Sequence, residues 1–241
     1  MSPRRTIAII AALSVALVIP GALVVNGLRL LANDWYVHAE YARPGFPDDR
    51  YGLTKEERTD LALIGLRSIQ PHHSDGMQRL REARLPDGSA AFTEREVVHM
   101  QDVRRLVGAL YWYHLGALAL ILAVALVFRR STAARGLFSR ALLAGGLLTL
   151  GGALLLVVLM LAAFDWFFTS FHTVFFEGET WRFPTTDTLI RIYPEAFWSD
   201  FSIVLGVLTV VQAVALAGGS WWWLRRSRCV APAAARPEAV L

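Results

Sequence analysis

His99 and Asp102 stand three residues apart in the stretch VVHMQDV, so on a helix they share one face. A carboxylate beside an imidazole can fix its tautomer and raise its basicity, which is what a general base requires. The same residues also suit a plain ion network among Glu96, Asp102, Arg104 and Arg105. A second imidazole, His172, sits in FDWFFTSFHTVFFEGETWRF (Phe164 to Phe183), where nine of twenty residues are aromatic. Aromatic residues gather at membrane interfaces in any case, and a histidine among them can be merely hydrogen-bonded there. That belt is usually Trp and Tyr, whereas this run is mostly Phe, which suits a protein-lined pocket or lipid-facing cleft. Its candidate walls are Trp166, Phe168, Phe171, Phe175, Phe176 and Trp181, and Asp165 is placed either to orient a histidine or to face the interface.

Other machineries have no signature. There is no GxSxG elbow, HExxH, P-loop or GxGxxG. Ser170 lies two residues from His172, a poor helical spacing for a pair. Imidazole and carboxylate would suit zinc at His99, Asp102 and His172, but no compact ligand motif accompanies them, so neither metal nor cofactor is expected. Cys229 is the single cysteine, which excludes an intrachain disulfide. His38 is a weaker candidate, and His72 and His73, in a stretch with turn chemistry, read as solvated. His114 falls inside an apolar block, where an ionisable group is either functional or a hydrogen-bonded structural element.

The elements that must position these residues are membrane helices. Hydrophobic residues make up 55% of the chain, mean hydropathy is +0.42, and the apolar residues are concentrated in four blocks. These are Thr6–Leu28, Val107–Phe128, Ala141–Ala163 and Phe201–Leu224, each near the ~20 residues that cross a bilayer. The first is too long for a secretory h-region and no small-x-small site follows, so it reads as uncleaved. Orientation follows the short basic segments MSPRR, RRSTAARGLFSR and RRSR, which all lie on one side if both termini are cytoplasmic. The net charge of +4 follows this topology and calls for no nucleic-acid partner. Lys55 is the sole lysine among 24 basic residues, a bias of GC-rich, bacterial coding.

The expected organisation is then residues 1–28 (cytoplasmic N-terminus and first helix), 29–106 (an extracytoplasmic cap leading into the second) and 107–128 (second helix). Residues 129–140 form a cytoplasmic Arg-rich loop and 141–163 the third helix. Residues 164–200 form an outer aromatic-rich loop, 201–224 the fourth helix and 225–241 a cytoplasmic tail. The fold class is an all-α membrane protein: four transmembrane helices with a mostly helical extracytoplasmic cap. Capping-box patterns at Thr54/Glu57 and Thr93/Glu96 start two helices. No breaker separates Glu94 from Phe128, so one helix of ~50 Å is expected there. It raises His99 about two turns above Val107, and nine residues beyond Ala163 bring His172 to a similar height if the third helix continues upward.

Three stretches then carry a resemblance. EREVVHMQDVRRL (Glu94–Leu106), FHTVFF (Phe171–Phe176) and WRFPTTDTLIRIYPEAFWSD (Trp181–Asp200) resemble, in order, signatures of the lipoprotein intramolecular transacylase family of bacterial integral-membrane proteins. The resemblance implies an acyltransferase of the bacterial cytoplasmic membrane acting on a diacylglyceryl-modified lipoprotein among membrane lipid. The sn-2 acyl chain moves to the amine of the N-terminal cysteine, giving the lyso form. It also implies a catalytic pair, His99 and His172, to which the residues themselves add Asp102 and Asp165 as supports and the aromatics as a substrate pocket. The other readings the residues allow are a non-catalytic lipid- or partner-binding membrane protein and a metal-dependent lipid hydrolase.

Overall fold

In lipid, each backbone N–H and C=O must be bonded within its own segment, which leaves the helix as the default for the four apolar blocks. The computed structural model describes residues 2–175 and 181–229. Eight helices make up its regular structure: α1 (Pro3–Leu31), α2 (Asp34–Ala42), α3 (Lys55–Ile69), α4 (Gly76–Glu82), α5 (Glu94–Phe128), α6 (Thr132–Phe175), α7 (Thr188–Ile192) and α8 (Glu195–Cys229). Among the described residues there is no strand, only one isolated bridge between Arg84 and Ala90. Four helices are long and apolar enough to cross a membrane, within α1, α5, α6 and α8. Leu115, Leu118, Leu122 and Leu126, at helical spacing on α5, are all exposed, as a lipid-facing stripe would be.

α5 runs unbroken for 35 residues. α6 extends beyond the apolar block at both ends. Ser131 caps it, its hydroxyl accepting from the Ala134 N–H at 3.1 Å, and nothing in TAARGLFSR stops a helix, so the Arg-rich connection shrinks to residues 129–131. At the other end the backbone kinks at Ala163 (φ −154°, ψ 53°), then resumes its helical course and carries the chain to Phe175.

The chain forms two units. One consists of Met1–Leu23, Ala117–Gly152 and Val210–Leu241. Its core joins Val15, Ile19, Val124 and Phe128. A Cβ at Gly145 would meet the Ile19 side chain at 2.5 Å, and one at Gly146 would meet the Ala217 methyl at 3.0 Å. Small residues let membrane helices approach this closely, and dispersion supplies the attraction.

The other unit, Val24–Gly116 and Ala153–Thr209, holds the candidate site. Its core gathers Val37, Tyr41, Leu61, Leu66, Leu80, Val97, Met100 and Ile192 from α2, α3, α4, α5 and α7. Thr54 and Glu57 form a full capping box that starts α3. Polar staples fix the connections. Arg58 is 3% exposed and donates to the carbonyls of Pro47 and Arg191, while Arg191 pairs with the buried Asp49 at 2.9 Å. Arg104 on α5 donates to the carbonyls of Ser68, Gln70, Pro71 and His73, so one guanidinium holds the whole turn between α3 and α4. The Tyr193 hydroxyl donates to the Ala62 carbonyl across a close approach that only Gly65 permits.

Candidate active site

The N-terminus of α5 is built by Thr93 and Glu96. The Glu96 carboxylate accepts from the Thr93 N–H at 2.7 Å and from its hydroxyl at 2.9 Å, while the Glu96 N–H reaches back to the Thr93 hydroxyl. This satisfies donors that a helix start leaves open. Glu96 is fully buried, and its other oxygen accepts from the Leu189 N–H of α7 at 2.8 Å. The Thr188 hydroxyl donates to the Ala91 carbonyl beside it. The cap of α5 is therefore also the anchor of α7.

His99 follows one turn later, before the apolar window that begins near Val107. The Phe183 ring stands edge-on to its imidazole, centroids 5.3 Å apart at 70°. Burial, and then the neighbouring His172, lower the His99 pKa from 6.5 to about 4, while the Asp102 carboxylate acts in the opposite sense. His99 is thus neutral at pH 7, and the two imidazoles are close enough for charge on one to oppose charge on the other.

His172 lies on the last turn of α6, and the Trp181 indole covers it at 4.7 Å with 30° between the planes. Trp181 and Phe183 are alternate residues of one short non-helical stretch, and each ring packs against one of the histidines. Arg95 reaches that stretch from α5: its Nη2 donates to the Arg182 carbonyl at 2.7 Å and its guanidinium lies over the Phe183 ring at 5.1 Å.

The remaining candidates are placed differently. The Asp102 carboxylate accepts from Arg105 Nη1 at 2.8 Å, the pairing of the ion-network reading. Trp166 and Phe175 lie on α6 and are exposed. Phe176 lies outside the described residues, as do the side chains of Asp165, Phe168 and Phe171. His114 is buried in α5, its Nδ1 3.3 Å from Nη1 of Arg29, whose guanidinium also stacks on Tyr111. His38 and His72 are exposed, and His73 packs against His72.

Sequence reasoning missed Phe183, Arg95 and the second role of Glu96. The W-x-F alternation was the available signal for Phe183. For Glu96 the capping box explained the residue without requiring its other oxygen.

The chain has relatives with this plan. Residues 11–198 match the family described as lipoprotein intramolecular transacylase Lit. An uncharacterised protein of Aquifex aeolicus is 35% identical over 189 residues, covering 77% of this chain and 82% of that one. The membrane-integral lipoprotein intramolecular transacylase Lit of Bacillus cereus shares the fold, with a TM-score of 0.69 and 14% identity over 94% of this chain and 99% of that one. A variant of the same protein with one histidine replaced by alanine gives 0.71 and 15%, over 94% and 97%. The chain belongs to the lipoprotein intramolecular transacylase family.

Proposed function

We propose that this enzyme moves the sn-2 acyl chain of a diacylglyceryl-modified lipoprotein to the α-amine of the same molecule's N-terminal cysteine. His99 and His172 act as the reacting pair, at the extracytoplasmic face of a bacterial cytoplasmic membrane. The observation that carries this reading is the meeting of two imidazoles, one from α5 and one from α6, under a common aromatic cover.

The nucleophile belongs to the substrate, so the protein needs no serine or cysteine of its own. The amine attacks the ester carbonyl, a C–N bond forms, and the C–O bond to the glyceryl group breaks. One proton leaves nitrogen and one arrives on the glyceryl oxygen, so the sum is an O-to-N transfer. An α-ammonium has a pKa of about 7.7–8.0 and an imidazole held near 4 does not strip it efficiently. The amine therefore enters neutral, as the apolar surroundings favour. His99 takes the proton only after attack has made the nitrogen acidic. His172 donates a proton to the departing alkoxide, so the proton taken by His99 and the proton given by His172 balance, and re-equilibration of the pair resets it for the next turnover. The aromatic cover limits hydrolysis of the ester by water.

The test is co-expression with a reporter lipoprotein and mass spectrometry of its lipid-linked N-terminal peptide. Wild type is expected to convert the diacyl, free-amine form to the N-acylated lyso form. His99→Ala and His172→Ala are expected to lower conversion by roughly 10²–10⁴-fold at equal expression. A wild-type chain that leaves the free amine untouched would sink this reading.

A further inference from the structure

Trp181 and Phe183 each cover one histidine, and both belong to a stretch with no helix or sheet ladder of its own to hold it. One side chain ties that stretch down at three points. Arg95 Nη2 donates to the Arg182 carbonyl at 2.7 Å, between the two aromatic residues. The guanidinium lies over the Phe183 ring at 5.1 Å, and Nη2 approaches the Asp187 carboxylate at 3.6 Å, just before α7. Arg95 also lies one turn before His99 on α5, so the residue that holds the cover shares a rigid helix with the imidazole being covered.

We propose that Arg95 is a positioning residue for the transacylation: it fixes the Trp181–Phe183 stretch across His172 and His99, setting the aromatic cover under which the ester and amine meet. The proposal rests on the reading of the two histidines as the reacting pair. Arginine suits the task better than lysine, because its planar fork can hydrogen-bond a carbonyl and pair with a carboxylate while its face stacks on a ring. Lysine supplies a point charge and no plane.

The consequence reaches His99 through burial. Phe183 is part of what excludes water from that imidazole, so loosening the stretch returns His99 toward its ordinary pKa of 6.5. The ionisable groups that act on it are His172 on α6 and Asp102 on α5, while Arg95, Arg182 and Asp187 lie on or against the covering segment. Arg95→Ala removes the tether, and the water this admits raises the His99 pKa. Phe183→Ala removes no charge and isolates the effect of the cover.

The experiment uses the full chain in detergent micelles with a synthetic diacylglyceryl-cysteinyl peptide, alongside NMR titration of the His99 ring without substrate. Arg95→Ala is expected to lower kcat on the order of 10²-fold, by misplacing the reacting groups, with a much smaller change in KM. Its His99 titration is expected to move upward. Phe183→Ala should move the titration the same way, Arg95→Lys should recover part of both effects, and Arg79→Ala should match wild type. A folded Arg95→Ala variant with unchanged kcat overturns the proposal. So does lost activity with His99 still titrating near 4, which would assign Arg95 to general stability. If wild type fails to acylate, the histidine-pair reading falls, while the substrate-free titration still decides whether Arg95 holds the cover.

Discussion

His99 is a half-buried base whose neutrality is imposed by its surroundings, and this has a consequence for stability as well as for chemistry. Its pKa is lowered from 6.5 to about 4, so between those values the unfolded chain binds a proton that the folded chain refuses. The stability linked to this residue is complete above pH 6.5 and is lost as pH falls toward 4. His99→Gln removes the titration while keeping a polar side chain of similar reach. Thermal melts in detergent at pH values of roughly 7.5 and 4.5 should therefore show a smaller acid-induced drop in Tm for His99→Gln than for wild type. An equal drop would mean that other groups carry the acid sensitivity. At this scale the two histidines and Trp181 were legible, because an imidazole in an apolar or aromatic context stands out in one dimension. Phe183 and Arg95 were not, because their significance lies in contacts across sequence gaps of 84 and 87 residues, from His99 to Phe183 and from Arg95 to Arg182.

Among the elements, α5 is the one that sequence reading located most closely, with Glu94 and Phe128 as its ends, because a capping box opens it and no breaker interrupts it. α7 was not foreseen. Five residues between Pro184 and Pro194 are too few to show a helical period, and the helix depends on tertiary support. Glu96 supplies much of that support by accepting the Leu189 N–H in a fully buried position. Glu96→Ala leaves the buried Leu189 N–H without its carboxylate, a cost of about 1–3 kcal/mol, while the Thr93 N–H, on an exposed residue, can turn to water. The expected result is a lower Tm together with faster amide exchange in Thr188–Ile192 than in α3, which Glu96 does not touch. Glu96→Gln keeps one acceptor oxygen and should fall between. Uniform loss of protection over α3 and α7 alike would show that α7 is not separately tethered. α2 was also missed: Asn33 restarts the helix only two residues after α1 ends, with neither Pro nor Gly to mark the break.

Across the whole molecule, the apolar blocks were legible because lipid demands long uninterrupted helices, whereas the kink at Ala163 was not: ALLLVVLMLAAFDWFF contains no proline to announce it. The proposed orientation places MSPRR, the Arg129–Arg130 turn and RRSR in the cytoplasm, and the turn between α3 and α4 outside. The single cysteine makes this testable with one reagent. Cys229 follows RRSR at the end of α8, so in intact spheroplasts a membrane-impermeant maleimide should leave it unmodified and should label it once the membrane is opened. In a Cys229→Ser chain carrying Ser74→Cys, the new thiol sits in the turn before α4, and the pattern should invert, with labelling in intact cells. Labelling of Cys229 from outside, with Ser74→Cys protected, would reverse the topology. It would also put the histidine layer on the face opposite to the one where a diacylglyceryl lipoprotein presents its amine, leaving the proposed reaction without access to its substrate.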